Sequence, residues 1–210
     1  LTPLPAVPIE LSAITQNIWQ GKAFLNGDFT RQNLISQRQE YPYAIIHLAT
    51  HGEFQSGDPS RSYIQLWDEK LSLDRLRELR WNDPPVELLV LSACQTAVGD
   101  ADAELGFAGL AVAAGVKSAI ASLWSVSDEG TLVLMSSFYQ NLHHSSIKAE
   151  ALRQAQIAML RQQVWLEEGR VSGEGVPEGI ALPGDLSGRG RVDLSHPYYW
   201  SAFTTIGSPW

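Results

Sequence analysis

The chain has 210 residues, 44% of them hydrophobic, and a formal net charge of -8 from 15 basic and 23 acidic side chains. That length and apolar content suit one domain with a sizeable core, while an acidic balance without a Lys/Arg run excludes a nucleic-acid binder, which needs a basic face. The single cysteine excludes an internal disulfide framework and a Cys-based zinc site, and neither a signal peptide nor an apolar run of roughly 18 residues, as a membrane span requires, is present.

One free thiol fits a reducing compartment, and a cytoplasmic location is the expectation. The chain begins at Leu1 rather than Met and reads as a piece of a longer protein. Residues 1–42 read as an N-terminal arm and lead-in helix of the same domain. Residues 43–210 form its body, with a Gly-rich insertion at 166–194.

Leu1 to Ile9 is Pro-rich and reads as an extended arm. Thr15 to Leu25 fits no single template. Thr30 reads as an N-cap for a helix from Arg31 to Glu40 that Pro42 ends. Tyr43 to Ala49, Y-A-I-I-H-L-A, reads as a strand buried on both faces and runs into Thr50-His51-Gly52-Glu53. Gln55 to Arg61 is a polar loop. Tyr63 to Trp67 is a strand, Asp68-Glu69 a turn, Lys70-Leu71 an extended stretch, and Ser72 the cap of a helix to about Leu79.

Val86 to Leu91 is the most apolar run and is bounded by prolines before it and a polar turn after it. It predicts a central parallel strand, and Cys94 stands where that strand runs out. A loop from Gln95 to Ala103 follows, then a helix from Glu104 to Ala114 whose small residues allow close packing and which Gly115 stops. Lys117 to Trp124 is a strand. Ser127 or Asp128 caps a helix from Glu129 to about His143, and Ser146 caps another from Ile147 to Trp165, with Ala151, Leu152, Ala155 and Met159 on its apolar stripe. Leu166 to Leu194 has no periodicity and reads as a long structureless loop: a lid, a site of self-cleavage after Asp185, Arg189 or Arg191, or a passive insertion. His196 to Gly207 is the last strand. Strands alternating with helices predict an α/β fold with a mostly parallel sheet.

Chemistry concentrates at two strand ends, T-H-G and S-A-C. Parallel strands end on one edge of a sheet, so neighbouring strands place His51 and Cys94 at one cleft. A thiolate is the reactive form of cysteine, and an imidazole beside it activates it or protonates a leaving group. The backbone N–H groups of Gly52 and Cys94 are candidates for holding an oxyanion. Taken alone, Cys94 reads as a buried small hydrophobe; the paired T-H-G and S-A-C ends favour the nucleophile. His47 reads as a core residue, His143-His144 as the end of a helix, and His196 as structural. His47 and His51 have metal-like spacing only on a helix, and this segment reads as strand, so zinc is rejected.

The series H-L-A-T-H-G-E-F, L-V-L-S-A-C-Q-T-A, G-F-A-G-L, A-S-L-W-S-V-S-D-E, K-A-E-A-L-R-Q-A-Q and H-P-Y-Y-W-S-A-F resembles the CHAT domain, from about Tyr43 to the C-terminus. This is a caspase-like family, commonly fused to tetratricopeptide repeats and with many cyanobacterial members, that belongs with caspases, separases, gingipains and metacaspases. The resemblance implies a caspase-like three-layer α/β/α sandwich and cysteine endopeptidase chemistry with His51 and Cys94 as the dyad. It implies no metal or organic cofactor for that chemistry, although some relatives use calcium. It also implies a protein substrate, repeat or regulatory regions outside this chain, and activity that waits on an activating partner. No nucleic acid or membrane partner is expected.

Several Arg/Lys-specific relatives carry an Asp two residues before the cysteine, where this chain has Ser92, so basic specificity does not carry over through that position. The Gly-rich insertion is longer than in the shortest members. Asp128 has two readings: a charge at a helix N-terminus, or a carboxylate facing a basic P1 side chain if the loop after Trp124 lines the S1 pocket as its equivalent does in caspases. Ser92 and Trp124 are the other candidates for that pocket, with core packing the rival role for Trp124. Asp102 and Glu104 read as solvated charges that could also meet a substrate amine. The alternative to an endopeptidase is a protein-interaction or scaffold module that keeps the fold and cleaves nothing.

Overall fold

Local caps and short apolar runs set the element boundaries. A computed structural model describes residues 4–55, 60–92, 106–124, 126–173, 176, 180–181 and 190–210. In chain order, α1 is Val7–Ser12, followed by a π-helical stretch, Ala13–Ile18, and α2 is Arg31–Glu40. Strands β1 (Ile45–Leu48), β2 (Gly52–Glu53), β3 (Tyr63–Gln65) and β4 (Lys70–Ser72) precede a 3-10 helix, Leu73–Leu79. Then come β5 (Leu88–Leu91), α3 (Gly106–Ala113), β6 (Ser118–Ser122), α4 (Asp128–His144) and α5 (Lys148–Leu160). The chain finishes with β7 (Val164–Glu167), β8 (Arg170–Gly173), β9 (Ile180–Ala181), a 3-10 turn at Pro197–Tyr199 and β10 (Phe203–Gly207).

Two compact units divide the chain: Phe24–Ser125 with Phe203–Pro209, and Leu1–Ala23 with Val126–Ala202 and Trp210. The first holds a four-stranded central sheet of order β1-β5-β6-β10. β1, β5 and β6 are parallel and β10 runs antiparallel to β6, so the sheet is mostly parallel as the sequence predicts. All four side chains of β5 have no solvent exposure. Leu89 and Leu91 enter a core with Leu48, Ala119, Ala121, Phe107, Ala108 and Ala111, and by strand alternation Leu88 and Val90 point to the opposite face. Burial of each such side chain contributes about 1.5–3 kcal/mol.

Helix ends follow local chemistry. Thr30 Oγ1 accepts from Asn33 N at 3.1 Å to start α2, and the extended Tyr41 before Pro42 ends it. α3 packs on β6 and β10 through Ala108 and Ala111. It closes with a Schellman turn in which Val116 N donates to Ala111 O (3.1 Å) and Gly115 N to Val112 O (3.0 Å). Gly115 has φ 115°, and a Cβ there would lie 3.3 Å from Asn82 Cβ, so glycine suits both the backbone and the contact. Ser72 makes no side-chain cap, and the helix it precedes is 3-10 rather than α.

Arg38 is a charged residue taken into the interior. It is 3% exposed, its guanidinium donates to the carbonyls of Leu79, Arg80 (3.1 Å) and Pro84 (2.9 Å), and it lies 4.9 Å from the centroid of the buried Trp81 ring. Burial lowers its pKa and Asp83 pushes the other way.

In the other unit, the helix Val7–Ser12 corrects the last three residues, Val7 to Ile9, of the extended arm expected from Leu1; residues 1–3 lie outside the described residues. Pro8 falls in the first turn, where its missing N–H costs nothing, and the turns that follow bury Glu10, Ala13, Ile14 and Ile18. Ser127 Oγ accepts from Gly130 N (2.9 Å), which makes Ser127 the cap of α4 and puts Asp128 and Glu129 in its first turn. At its other end, His143 stacks 4.4 Å from Trp19 and its Nε2–H donates to the Ile18 carbonyl.

The helix expected from Ile147 to Trp165 is also corrected. Ser146 does not cap it; Ser145 Oγ accepts from Ile147 N (3.1 Å), and the helix is Lys148–Leu160. Gln162, at φ 54°, closes a Schellman turn (Gln163 N to Ala158 O, 2.8 Å; Gln162 N to Met159 O, 3.0 Å). No glycine marks that stop, so periodicity alone runs past it. The segment read as structureless from Leu166 opens with a hairpin, β7 and β8, around a turn at Glu168 (φ 47°) and Gly169 (φ 70°), and β9 adds a third antiparallel strand. Two positive φ values fit a type I′ turn, whose usual signal is Asn-Gly or Asp-Gly rather than Glu-Gly. Residues 174–175, 177–179 and 182–189, with Asp185 and Arg189 among them, lie outside the described residues, whereas the Arg191 guanidinium donates to Gln162 O (3.2 Å) and lies 4.2 Å from the centroid of the Trp165 ring. Of the last predicted strand only Phe203–Gly207 is extended, and His196 Nδ1 accepts from Tyr198 N (3.2 Å) to cap the 3-10 turn before it.

Replacing Arg38 with Ala leaves three carbonyls without their donor and a gap beside Trp81. The expected loss is about 3 kcal/mol, read as a lower urea midpoint by circular dichroism; an unchanged midpoint would show that this tie is not needed for stability.

Candidate active site

The first strand end is held by backbone pairing. β1 and β5 are adjacent and parallel, with Ile45 opposite Leu88 and Leu48 opposite Leu91, so both finish at one edge of the sheet. Ser92 N donates to Leu48 O at 3.2 Å, continuing the pairing one residue beyond the strands. His51 lies three residues past Leu48, and Cys94 lies three past Leu91 in sequence. The adjacency on which the dyad argument depends is therefore present. Cys94 itself, with Asp102 and Glu104, lies outside the described residues.

Two hydrogen bonds clamp the T-H-G segment. Gln65 N donates to His51 O (2.8 Å), and the buried Thr50 Oγ1 donates to Gln65 O (2.6 Å). His51 opposite Gln65 is thus a hydrogen-bonded position of the antiparallel β2–β3 ladder. Such positions alternate with non-bonded ones. Gly52, opposite Ile64, takes the non-bonded position, so its N–H points away from β3. A Cβ on Gly52 would meet the Phe54 ring at 3.1 and 3.3 Å and Tyr63 O at 3.4 Å. Phe54 cannot yield freely: it is buried and packs edge-on against Phe107, with centroids 5.7 Å apart. Glycine at this position gives the imidazole-bearing turn its close approach to the core.

Ser92 is fully buried at the end of β5, on the face of Leu88 and Val90, and its hydroxyl has no hydrogen-bond partner among the described residues. Trp124 is half-buried just beyond β6, in the same unit as His51. Asp128 is the first residue of α4 and belongs to the other unit. His47 lies within β1 opposite Val90. Among the described residues, no group of three His, Cys, Asp or Glu side chains is placed to hold a metal ion, and no helix is long and apolar enough to cross a membrane.

A feature absent from the sequence reading is the company His51 keeps. Glu53, Tyr63 and Lys70 form a charged and aromatic cluster on the hairpin that carries it. The signal for it is the alternation in H-G-E-F and Y-I-Q-L, which puts His51 and Glu53 on one side and Gly52 and Phe54 on the other.

A mostly parallel sheet, with a His-Gly turn beyond one central strand and a Ser-Ala-Cys sequence following its neighbour, defines an α/β protein of the caspase-like kind. The profile of the CHAT domain matches residues 1–208, and the chain belongs to that caspase-like family. The match reaches past Tyr43, the start of the resemblance read from the sequence, to the first residue. A search among curated proteins returned no match.

Substituting Ala for Gly52 forces Phe54 to move. We expect a destabilisation of about 1–3 kcal/mol from overpacking, seen as a lower denaturation midpoint. Restored stability in a Gly52→Ala, Phe54→Leu double variant would identify the ring contact as the cause; no recovery would count against it.

Proposed function

We infer that this chain is a cysteine endopeptidase of the caspase-like type, with Cys94 as nucleophile and His51 as its acid–base partner. The observation that carries the reading is the parallel pairing of β1 and β5 in register to their ends, Leu48 opposite Leu91, with His51 just beyond. Membership of a caspase-like family supports the same chemistry.

In this mechanism the Cys94 thiolate attacks the carbonyl carbon of the scissile peptide bond, and the carbonyl π electrons move to oxygen. The N–H groups of Gly52 and Cys94 hold that oxyanion; the orientation of the Gly52 amide, away from β3, leaves it directed off the ladder. Collapse breaks the C–N bond as the His51 imidazolium protonates the leaving nitrogen. A water then attacks the thioester, giving its proton to His51, and the thiolate departs. Every proton is accounted for by imidazole and water, so the scheme needs no metal or organic cofactor. Substrate selection by Asp128, Ser92 and Trp124 is a further part of the proposal. So are a protein substrate presented by repeats outside this chain and a cytoplasmic setting.

The test is cleavage of a proteome-derived peptide library by the chain beside Cys94→Ala and His51→Ala. Cuts should disappear in the first and fall at least about a thousandfold in the second, as expected when a nucleophile or its base is lost. Cuts that survive Cys94→Ala would overturn the assignment. An absence of Cys94-dependent cutting, in the chain and with its flanking repeats restored, would favour a non-proteolytic interaction module.

A further inference from the structure

The three-stranded sheet that carries His51 has two chemically distinct faces. Opposed pairs are Gly52 with Ile64 and Glu53 with Tyr63, then Tyr63 with Ser72, Ile64 with Leu71 and Gln65 with Lys70. Directly opposed residues share a face. Gly52, Ile64 and Leu71 therefore share one side, and all three are buried. Glu53, Tyr63, Gln65, Lys70 and Ser72 share the other, and His51, two residues before Glu53 and opposite Gln65, joins them; all are at least partly exposed.

On that polar side Glu53 is held in a built arrangement. Gln55 Nε2 donates to Glu53 Oε1 at 2.9 Å, and Tyr63 stands opposite Glu53 in the ladder, where its side chain lowers the carboxyl's pKa. Gln55 is itself pinned, its N–H donating to Ser62 Oγ (2.8 Å) and its carbonyl accepting from that hydroxyl (3.2 Å). Lys70 Nζ lies 4.0 Å from the centroid of the Tyr63 ring. Gln55 first, then Tyr63, and more weakly Lys70 hold the Glu53 carboxyl below its ordinary range, so it is ionised at neutral pH. The neutral Gln55 donor fixes one carboxylate oxygen without cancelling its charge, and about three of the four lone-pair sites remain for another donor.

We propose that Glu53 is a specificity-determining residue that receives a basic side chain on the leaving-group side of the scissile bond. The proposal rests on the endopeptidase reading. In that reading His51 reaches the leaving nitrogen, so groups sharing its face flank the residues after the cut. Two positions along a strand span about 6.8 Å, the length of two extended substrate residues. The side chain read is therefore the first or second after the scissile bond. Fixing the carboxylate in advance through Gln55, itself pinned by Ser62, means that less of its orientation must be ordered on binding.

The experiment compares kcat/KM for matched peptides carrying Lys, Gln or Glu at those two positions, using the unaltered chain, Glu53→Gln and Glu53→Lys. The unaltered chain should prefer Lys to Glu roughly fivefold, the scale of one solvent-exposed ion pair. Added salt should flatten that preference by screening. Glu53→Gln should abolish it while keeping a side chain of the same shape. Glu53→Lys should reverse it, and thermal melts confirm that each variant is folded. A Lys preference that persists in Glu53→Lys, or no preference in the unaltered chain, overturns this inference and leaves the endopeptidase standing. If Glu53→Lys fails to fold, Glu53→Gln decides: retention of the Lys preference overturns the inference, and its loss supports it. No Cys94-dependent cutting of any peptide, in the chain and with its flanking repeats restored, overturns both.

Discussion

The parallel pairing of β1 with β5 is the constraint on which the rest depends. Ile45 to Leu48 pair in register with Leu88 to Leu91, and β5 pairs in turn with β6. Because side chains alternate, a slip of one residue would turn Leu89 and Leu91 out of the core and bring Leu88 and Val90 into it. Both sets are fully buried, so a slip would exchange the shapes packed on each face and lose the fit of both. Register is thereby fixed to the strand ends, and with it the place at which the chain leaves the sheet at Thr50 and Ser92.

The hairpin entered after β1 is a second ordering device. The segment from His51 turns directly into β2, which pairs with β3, so the imidazole-bearing residue is held by a ladder rather than a free loop. Gly52 serves two ends at once. Its amide points off the ladder, and its missing side chain lets Phe54 close over the turn and pack on Phe107. Core packing and site geometry share these atoms. The neighbouring side of the hairpin, with Glu53 fixed by Gln55, extends the same rigidity into charge.

Much of the architecture was legible because its signals are local. Thr30 and Ser127 cap helices that begin within a residue of where they are expected, since the bond each makes spans only three residues. Gly115 stops α3 for the same reason. Where local signals were weak, the reading failed: Glu168-Gly169 turns a hairpin without the usual Asn or Asp, and Gln162 ends a helix in a conformation glycine generally takes. Arg38 looks like any exposed arginine on a polar helix, yet three carbonyls from Leu79, Arg80 and Pro84 take it into the interior. Nothing near Arg38 in the chain announces those partners.

By itself the sequence determined the α/β class, the buried strands, most helix starts and the positions of T-H-G and S-A-C along the chain. Each comes from periodicity, capping or turn chemistry over a few residues. Only the tertiary structure decided that β1 and β5 are direct neighbours in one register, that β10 closes the sheet antiparallel, and that His51 shares a polar face with Glu53 and Tyr63. These are contacts between distant segments. Their energy comes from burying whole faces at once, and no short stretch of chain contains both partners.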